Sequence, residues 1–378
     1  MSYRIPFNRP TRTENDLRYI QQALEAGFLS GDGPFTKRCH AILEAAHGAP
    51  KVLLTTSCTH ALEMAAFLLQ IEPGDEVIVP SFTFVSTVNA FVIRGATPVF
   101  ADIHSDTLGL DERQLEKLIT PRTRAIVVVH YAGIGCQMDA IGAIASAHGI
   151  PVVEDNAHGL FGSFQNRLLG TFGAMSSLSF HETKNFTCGE GGALVINDRA
   201  LVERAEIVRE KGTDRSRFHR GEVDKYGWVD LGSSYLPSEI LAAMLCAQLE
   251  SRDLIQSRRQ QLWDRYASEL ADWSAAADAA LPVVPADRHH SAHMFHVMLP
   301  SVDARNVLMA HLKSKGMLAV SHYIPLNASS MGLKMGGRVG QCPVAEHAAV
   351  HLLRLPFYTQ MTDEEQTDVI RAVQECPA

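Results

Sequence analysis

Residues 152–184, VVEDNAHGLFGSFQNRLLGTFGAMSSLSFHETK, hold two short apolar runs that each end on reactive chemistry. The first closes with Asp155 and brings His158 three residues later; the second, SSLSF, passes Ser179 and leads to Lys184. Short apolar runs of this kind, bounded by turn residues, read as buried strands. A carboxylate that ends a buried strand is costly without a cationic partner. A lysine just beyond a strand is ordinarily a solvated surface charge, but other stretches of this chain point at Lys184.

The same pattern extends outward from this stretch. KVLLT, DEVIVP, TPVFADI and RAIVVVH alternate with helical patterns over Thr59 to Gln70, 85–94, 111–119 and 138–147, and GGALVIN follows Lys184. Continuous apolar strands alternating with helices predict an α/β fold with a mostly parallel sheet covered on both faces. In such a sheet, ligands sit beyond the carboxyl ends of the strands. After about residue 240 the pattern becomes one long helix, Ser238 to roughly Leu270, then a Pro/Ala/Asp-rich link and a mixed remainder. This predicts a large domain over 1–245, which includes the N-terminal segment, and a smaller α+β domain over 246–378.

The 378 residues, 46% of them hydrophobic, suffice for two domains and a large core. No apolar span reaches ~18 residues, and MSYRIPFNRPTRTEND carries no apolar secretory core. The seven cysteines (39, 58, 136, 188, 246, 342 and 376) are scattered without a C-x-x-C pair, which argues against a disulfide framework or a zinc ribbon. A cytoplasmic location is the expectation. A formal charge of −8 disfavours nucleic acid and anionic membrane as partners. RHHSAHMFHV (288–297) and EHAAVH (346–351) lack supporting carboxylate or cysteine ligands, so their histidines are expected to be structural or solvent-facing and no metal is expected. A dinucleotide fingerprint is missing, since GDGPFT lacks the third glycine and follows no strand.

Loops after the predicted strands converge on one chemistry. TTSCTHALEM (55–64) puts Ser57, Cys58 and Thr59 at a helix start, where free N–H groups favour a phosphate, although a simple N-cap is the plainer reading. Phe84, in PSFTFVST (80–87), offers a stacking surface for a flat ring or a piece of core. With Asp155, Ser179 and Lys184 these parts describe a pocket for a flat, phosphorylated, cationic heterocycle that condenses with an amine. Pyridoxal 5'-phosphate meets each requirement: Lys184 would form the Schiff base, Asp155 would pair with the pyridinium nitrogen, and Ser57 to Thr59 with Ser179 would hold the phosphate. A cationic ring nitrogen beside Asp155 would also depress its pKa.

At this point the chain resembles the DegT family of sugar-nucleotide aminotransferases over nearly its whole length. The blocks are SGDGPFTKRC (30–39), GDEVIVPSFTFVSTVNA (74–90), VVEDNAHG, SFHETKN, GEGGALVIND (189–198), YLPSEILAA (235–243) and HYIPL (322–326). The resemblance implies fold type I of the pyridoxal-phosphate enzymes (aspartate aminotransferase-like) and a homodimer with shared active sites. It implies catalytic roles for Lys184, Asp155 and His158, and cofactor contacts from these and from Ser57, Cys58, Thr59, Phe84, Ser179 and Ser234. Lys211, Arg215, Arg220 and Tyr323 are implied at the substrate, with the basic segment 211–226 a candidate for its pyrophosphate.

The fit is closest to members that aminate dTDP-4-oxo-6-deoxyglucose at C4, implying L-glutamate as donor and a dTDP-4-amino-4,6-dideoxyhexose as product. Amination at C3 or of a UDP-linked sugar stands as the alternative, as does a non-catalytic protein that binds cofactor or nucleotide sugar. Members that dehydrate sugars at C3 have histidine where this chain keeps Lys184. Two positions depart from the common pattern: many members have glycine at Cys58, and at Ser234 an asparagine that reaches the partner's phosphate.

Overall fold

Seven strands form the central sheet of the computed structural model, which describes residues 3–376: β1 (Lys51–Thr55), β2 (Glu76–Pro80), β3 (Thr97–Ala101), β4 (Thr123–Val129), β5 (Val152–Asp155), β6 (Met175–Ser179) and β7 (Gly192–Ile196). Their order is β1-β7-β6-β5-β4-β2-β3, and every pairing is parallel except the two made by β7. Each run read as a strand in 51–196 is one. The alternation of side chains along a strand sorts the core into two faces. Val77 and Val79 pack in one apolar cluster with Val127, Val153 and Leu194, whereas Ile78 packs on the opposite side with Ile126, Val128 and Val152.

Helices follow the strands: α1 (Pro34–His47) precedes β1, and α2 (Cys58–Leu68), α3 (Val85–Val92) and α4 (Met138–Ala147) fall where the periodicity puts them. The helix expected over 111–119 shrinks to a 3-10 turn, Glu112–Gln114, and one helical turn, Leu115–Leu118. The single long helix expected from Ser238 is broken in two, α5 (Glu239–Glu250) and α6 (Arg252–Glu269). The break falls at Ser251, where φ is −92° and ψ is 17° and the side-chain hydroxyl donates to Ala247 O at 2.9 Å. A serine that bonds back to the preceding turn competes with the helical ladder.

Ala242 to Leu249 of α5 pack against the sheet with Val52, Leu178 and Val195. Leu262 and Tyr266 of α6 instead join a separate cluster with Phe295, Val297, Leu353 and Val369, to which Ile5 of the N-terminal segment contributes. No helix among the described residues is long and apolar enough to cross a membrane.

Candidate active site

The carboxyl ends of β1, β2, β5 and β6 open on one edge of the sheet, and a cavity of about 600 Å³ lies there. Ser57, Cys58, Thr59 and Phe84 line it. So do Asp155, His158, Ser179, Lys184 and Tyr323. Six parallel strands deliver their following loops to one edge, which is why residues spread over 57–184 meet.

Ser57 is the N-cap of α2, with extended backbone and a side-chain oxygen that accepts from His60 N at 3.1 Å. The first turn of this helix faces the start of β7 so closely that a Cβ on Gly192 would lie 2.4 Å from Cys58 N. Any larger residue at position 192 would push the strand off the helix end. The Cys58 thiol donates to Ser177 Oγ at 3.4 Å, and burial raises its pKa. Thr59 Oγ1 lies 2.8 Å from Ser86 Oγ. Phe84 lines the cavity while remaining 55% exposed, tilted against Tyr323 with 6.2 Å between ring centroids.

Asp155 accepts from the Thr87 hydroxyl at 2.6 Å and from Ala157 N at 3.2 Å. Burial nonetheless raises its carboxyl above the ordinary carboxylate range, with those two donors and Lys184 pulling the other way. The depressed pKa expected for this residue is therefore not a property of the protein alone, because no cation pairs with the carboxylate among the described residues. A ligand cation would supply what is missing, and that is the demand a protonated ring nitrogen meets.

The adjacent Glu154 points to the opposite face and is completely buried. It accepts from the backbone N–H groups of Gly170, Phe172 and Gly173, each at 2.7 Å, and lies 2.9 Å from His130 Nε2. These donors hold its carboxyl below the usual range against the effect of burial.

Lys184 sits beyond the end of β6, in a turn whose backbone N–H donates to His181 O at 2.9 Å. Burial lowers its ammonium to about 8, with Arg354 adding to the effect and Cys58 and Asp155 opposing it. An amine so tuned exchanges protons readily near neutral pH. His158 is buried and stacks on His293 at 4.3 Å with an interplanar angle of 18°. Burial and the nearby Lys184 keep its ring below the ordinary histidine range, and its Nδ1 has no hydrogen-bond partner.

The cavity also contains residues that the sequence did not single out. His293 belongs to the stretch expected to be structural or solvent-facing, yet it lines the cavity, its Nδ1 2.9 Å from Asn185 Oδ1. Its neighbours in that stretch fit the expectation better: His290 packs on Trp263 and His296 on the edge of Tyr131. His322 lies over Tyr323 at 3.5 Å, with its Nδ1 2.6 Å from Tyr131 Oη. Of these, only His322 stood within a recognisable block, HYIPL; nothing local marked His293 or Arg354, which lines the cavity as well.

Four expected site residues lie elsewhere. Lys211, Arg215, Arg220 and Ser234 line a second cavity of about 780 Å³, together with Lys37, Lys51 and Arg209. Within the chain their charges are met by acids: Lys211 pairs with Glu210 at 2.9 Å, Arg215 with Glu210 at 3.4 Å, and Arg220 with Glu206 at 2.7 Å and Glu222 at 2.6 Å. One chain alone does not bring them to Lys184.

A seven-stranded, mostly parallel sheet with a lysine, an aspartate and a helix N-terminus converging at its carboxyl edge defines a pyridoxal-phosphate enzyme of fold type I. The chain belongs to the DegT/DnrJ/EryC1/StrS aminotransferase family, whose model matches residues 10–374. It is 32% identical over 379 residues to the spore coat polysaccharide biosynthesis protein SpsC of Bacillus subtilis, covering 98% of this chain and 96% of that one. Among solved structures it is similar to the aminotransferase TlmJ from Streptoalloteichus hindustanus, at 30% identity and a TM-score of 0.89 with 98% of each chain covered. It is also similar to the PLP form of Spr1654 from Streptococcus pneumoniae, described as a sugar aminotransferase, at 27% identity and a TM-score of 0.89, again covering 98% of each chain. The protein is a pyridoxal-phosphate-dependent aminotransferase.

Proposed function

We propose that Lys184 carries the cofactor and moves the substrate proton, and that Asp155 pairs with the ring nitrogen. The acceptor is a dTDP-4-oxo-6-deoxyhexose, the donor is L-glutamate, and the product is a dTDP-4-amino-4,6-dideoxyhexose. The observation that carries the catalytic part is the meeting of Lys184, its pKa lowered to about 8, with the cation-seeking Asp155 in one cavity. When bound, pyridoxal phosphate serves as an electron sink and stores the amino group between the two half-reactions. The N-terminus of α2, with Ser57, Cys58 and Thr59, and the Ser179 hydroxyl line the cavity and would take its phosphate. His158 and Phe84 lend ring faces, and the unpartnered Nδ1 of His158 remains available to a bound molecule.

The resemblance of KVLLTTSCTHALEMAA (51–66), VVHYAG (128–133), SFHETKN (179–185), REKGTDRSRF (209–218) and DKYGWVDLGSSYL (224–236) supports the dTDP-linked 4-oxo acceptor, and the relative named for polysaccharide biosynthesis supports a sugar acceptor. Incubating the protein with pyridoxal phosphate, glutamate and dTDP-4-oxo-6-deoxyglucose should yield the 4-amino product by mass and NMR. Efficient amination of a 3-oxo or UDP-linked sugar, with none of this substrate, would refute the acceptor assignment.

The second cavity suggests how the sugar nucleotide is held. Near its basic segment, Trp228, Val229 and Leu231 are 79%, 54% and 56% exposed. We take this surface to meet a second copy of the chain, so that Arg215, Arg220 and Ser234 complete the neighbouring pocket of a homodimer. Arg220→Ala should then weaken sugar-nucleotide use by roughly 10-fold or more and leave the glutamate half-reaction within about 2-fold. A fully active monomer seen by light scattering at micromolar concentration would overturn the shared site.

A further inference from the structure

Residues 291–293 come to the Lys184 cavity from the C-terminal part of the chain and tie together two loops that follow strands of the large sheet. The Ser291 hydroxyl donates to His158 O, and the His293 ring stacks on the His158 ring at 4.3 Å. Asn185, the residue after Lys184, donates from its side chain to Ser291 O at 2.7 Å and lies 2.9 Å from His293 Nδ1. The segment is held from behind by Arg259 of α6, which is 2% exposed. Arg259 donates from Nε to Ala292 O at 2.9 Å, from Nη2 to His293 O at 2.5 Å and from Nη1 to Thr359 Oγ1 at 3.2 Å. A guanidinium withdrawn from water is costly unless its donors are satisfied, and here two successive carbonyls of the segment satisfy them.

The position of one proton follows from these contacts. Only an N–H group of Asn185 can lie 2.7 Å from a carbonyl oxygen, so its amide nitrogen faces Ser291 and its Oδ1 faces His293. His293 Nδ1 therefore carries the hydrogen and donates it to Asn185. Burial keeps both the His158 and the His293 rings below the ordinary histidine range, so neutral faces stack and no like charges meet.

We propose that His293 is a positioning residue for the reaction at Lys184: its ring fixes the His158 imidazole that the cofactor ring lies against, and its Nδ1–H, through Asn185, fixes the turn from which Lys184 extends. The inference rests on the reading of Lys184 and His158 as cofactor contacts. His293 needs no bond to cofactor or substrate to act in this way. A displacement of about 1 Å at the reacting atoms costs on the order of 10²-fold in rate, and both displaced groups would be at the centre of the chemistry.

Two substitutions separate the two contacts. His293→Asn keeps a donor near the Nδ1 position and loses the ring, whereas His293→Phe keeps a ring face and loses the donor. In the His293→Phe holoenzyme the rate constant at which saturating glutamate bleaches the cofactor's visible band should fall roughly 10-fold or more, with the glutamate KM within about 3-fold. His293→Asn should bind pyridoxal phosphate roughly 5-fold more weakly and alter the circular dichroism of the bound cofactor's visible band. Asn185→Ala removes the same hydrogen bond from the other side and should slow the half-reaction at least as much as His293→Phe. Because the two residues act through one contact, the double variant should be no slower than Asn185→Ala alone.

Rate constants per bound cofactor within about 2-fold of wild type in both His293 variants, with only the melting temperature lowered, would leave the residue a packing role and overturn the assignment. Additive losses in the double variant, or a fall confined to the glutamate KM, would overturn it too. If neither His293 variant folds, an unchanged rate constant in Asn185→Ala refutes the coupling to Lys184. A borohydride tag on another lysine in wild type is a separate outcome, which would remove the reading of Lys184 and this inference with it.

Discussion

Replacing Lys184 with methionine should abolish turnover, by on the order of 10⁴-fold or more, and at the same time raise the thermal stability of the cofactor-free protein at neutral pH. The first effect follows from the proposed role of Lys184, the lysine that lines the cavity, as carrier of the cofactor and of the exchanged proton. The second follows from burial. The folded amine titrates near 8 against an ordinary value of 10.5. Between those values the unfolded chain holds more protons than the folded one, so stability rises with pH across the window. Below pH 8 the native state bears the full cost of a desolvated ammonium, up to roughly 3 kcal/mol.

Methionine keeps the stem and drops the charge. The variant should therefore melt above wild type at pH 7, with the difference shrinking as pH climbs from about 8 toward 10.5. A variant that melts at or below wild type at pH 7 would show that the amine is not desolvated as described. Borohydride reduction of the holoenzyme and peptide mapping check the chemical half of the prediction, since a pyridoxyl tag on any lysine other than Lys184 would refute it.

Asp155→Asn should slow the glutamate half-reaction by on the order of 10²- to 10³-fold while leaving the fold intact. Asparagine preserves the shape: its carbonyl oxygen can accept from Ala157 N while its amide nitrogen donates to the Thr87 hydroxyl, which now donates to the carboxylate. What it lacks is the negative charge that, on the proposed reading, keeps the ring nitrogen protonated. Burial raises the Asp155 carboxyl, so the carboxylate gains most from a cationic ligand and cofactor affinity should fall in the variant as well. Near-native half-reaction rates in Asp155→Asn would remove the residue from its role.

The strand ends of the large sheet were legible because the information is local. An apolar run of five residues, its flanking turn and the residue after it occupy one short window, and the parallel arrangement then brings all such windows to one edge. Ser57, Asp155 and Lys184 are each the product of that rule. His293, His322 and Arg354 are not, because they reach the cavity from the C-terminal part of the chain through contacts between residues more than 100 positions apart, such as Asn185 with His293. In RHHSAHMFHV no spacing distinguishes the histidine that faces the cavity from those packed against Trp263 and Tyr131. Only the tertiary fold does. The basic segment was legible as a cluster of charge, but its distance from Lys184 within one chain was not.

The tandem Glu154-Asp155 has a bearing on how β5 finds its place. Successive side chains of a strand alternate between faces, so sliding β5 by one residue would exchange the two acids. Asp155 would enter a dry face too short by one methylene to reach its donors, and the three amides of Gly170, Phe172 and Gly173 and the His130 imidazole would lose the carboxylate that now unites them. Each stranded donor costs roughly 1–3 kcal/mol, so the four together reach the scale of the whole protein's margin of stability. A misaligned strand is thus rejected during folding by the network next to Asp155, and the pocket inherits its accuracy from a residue that does not line it.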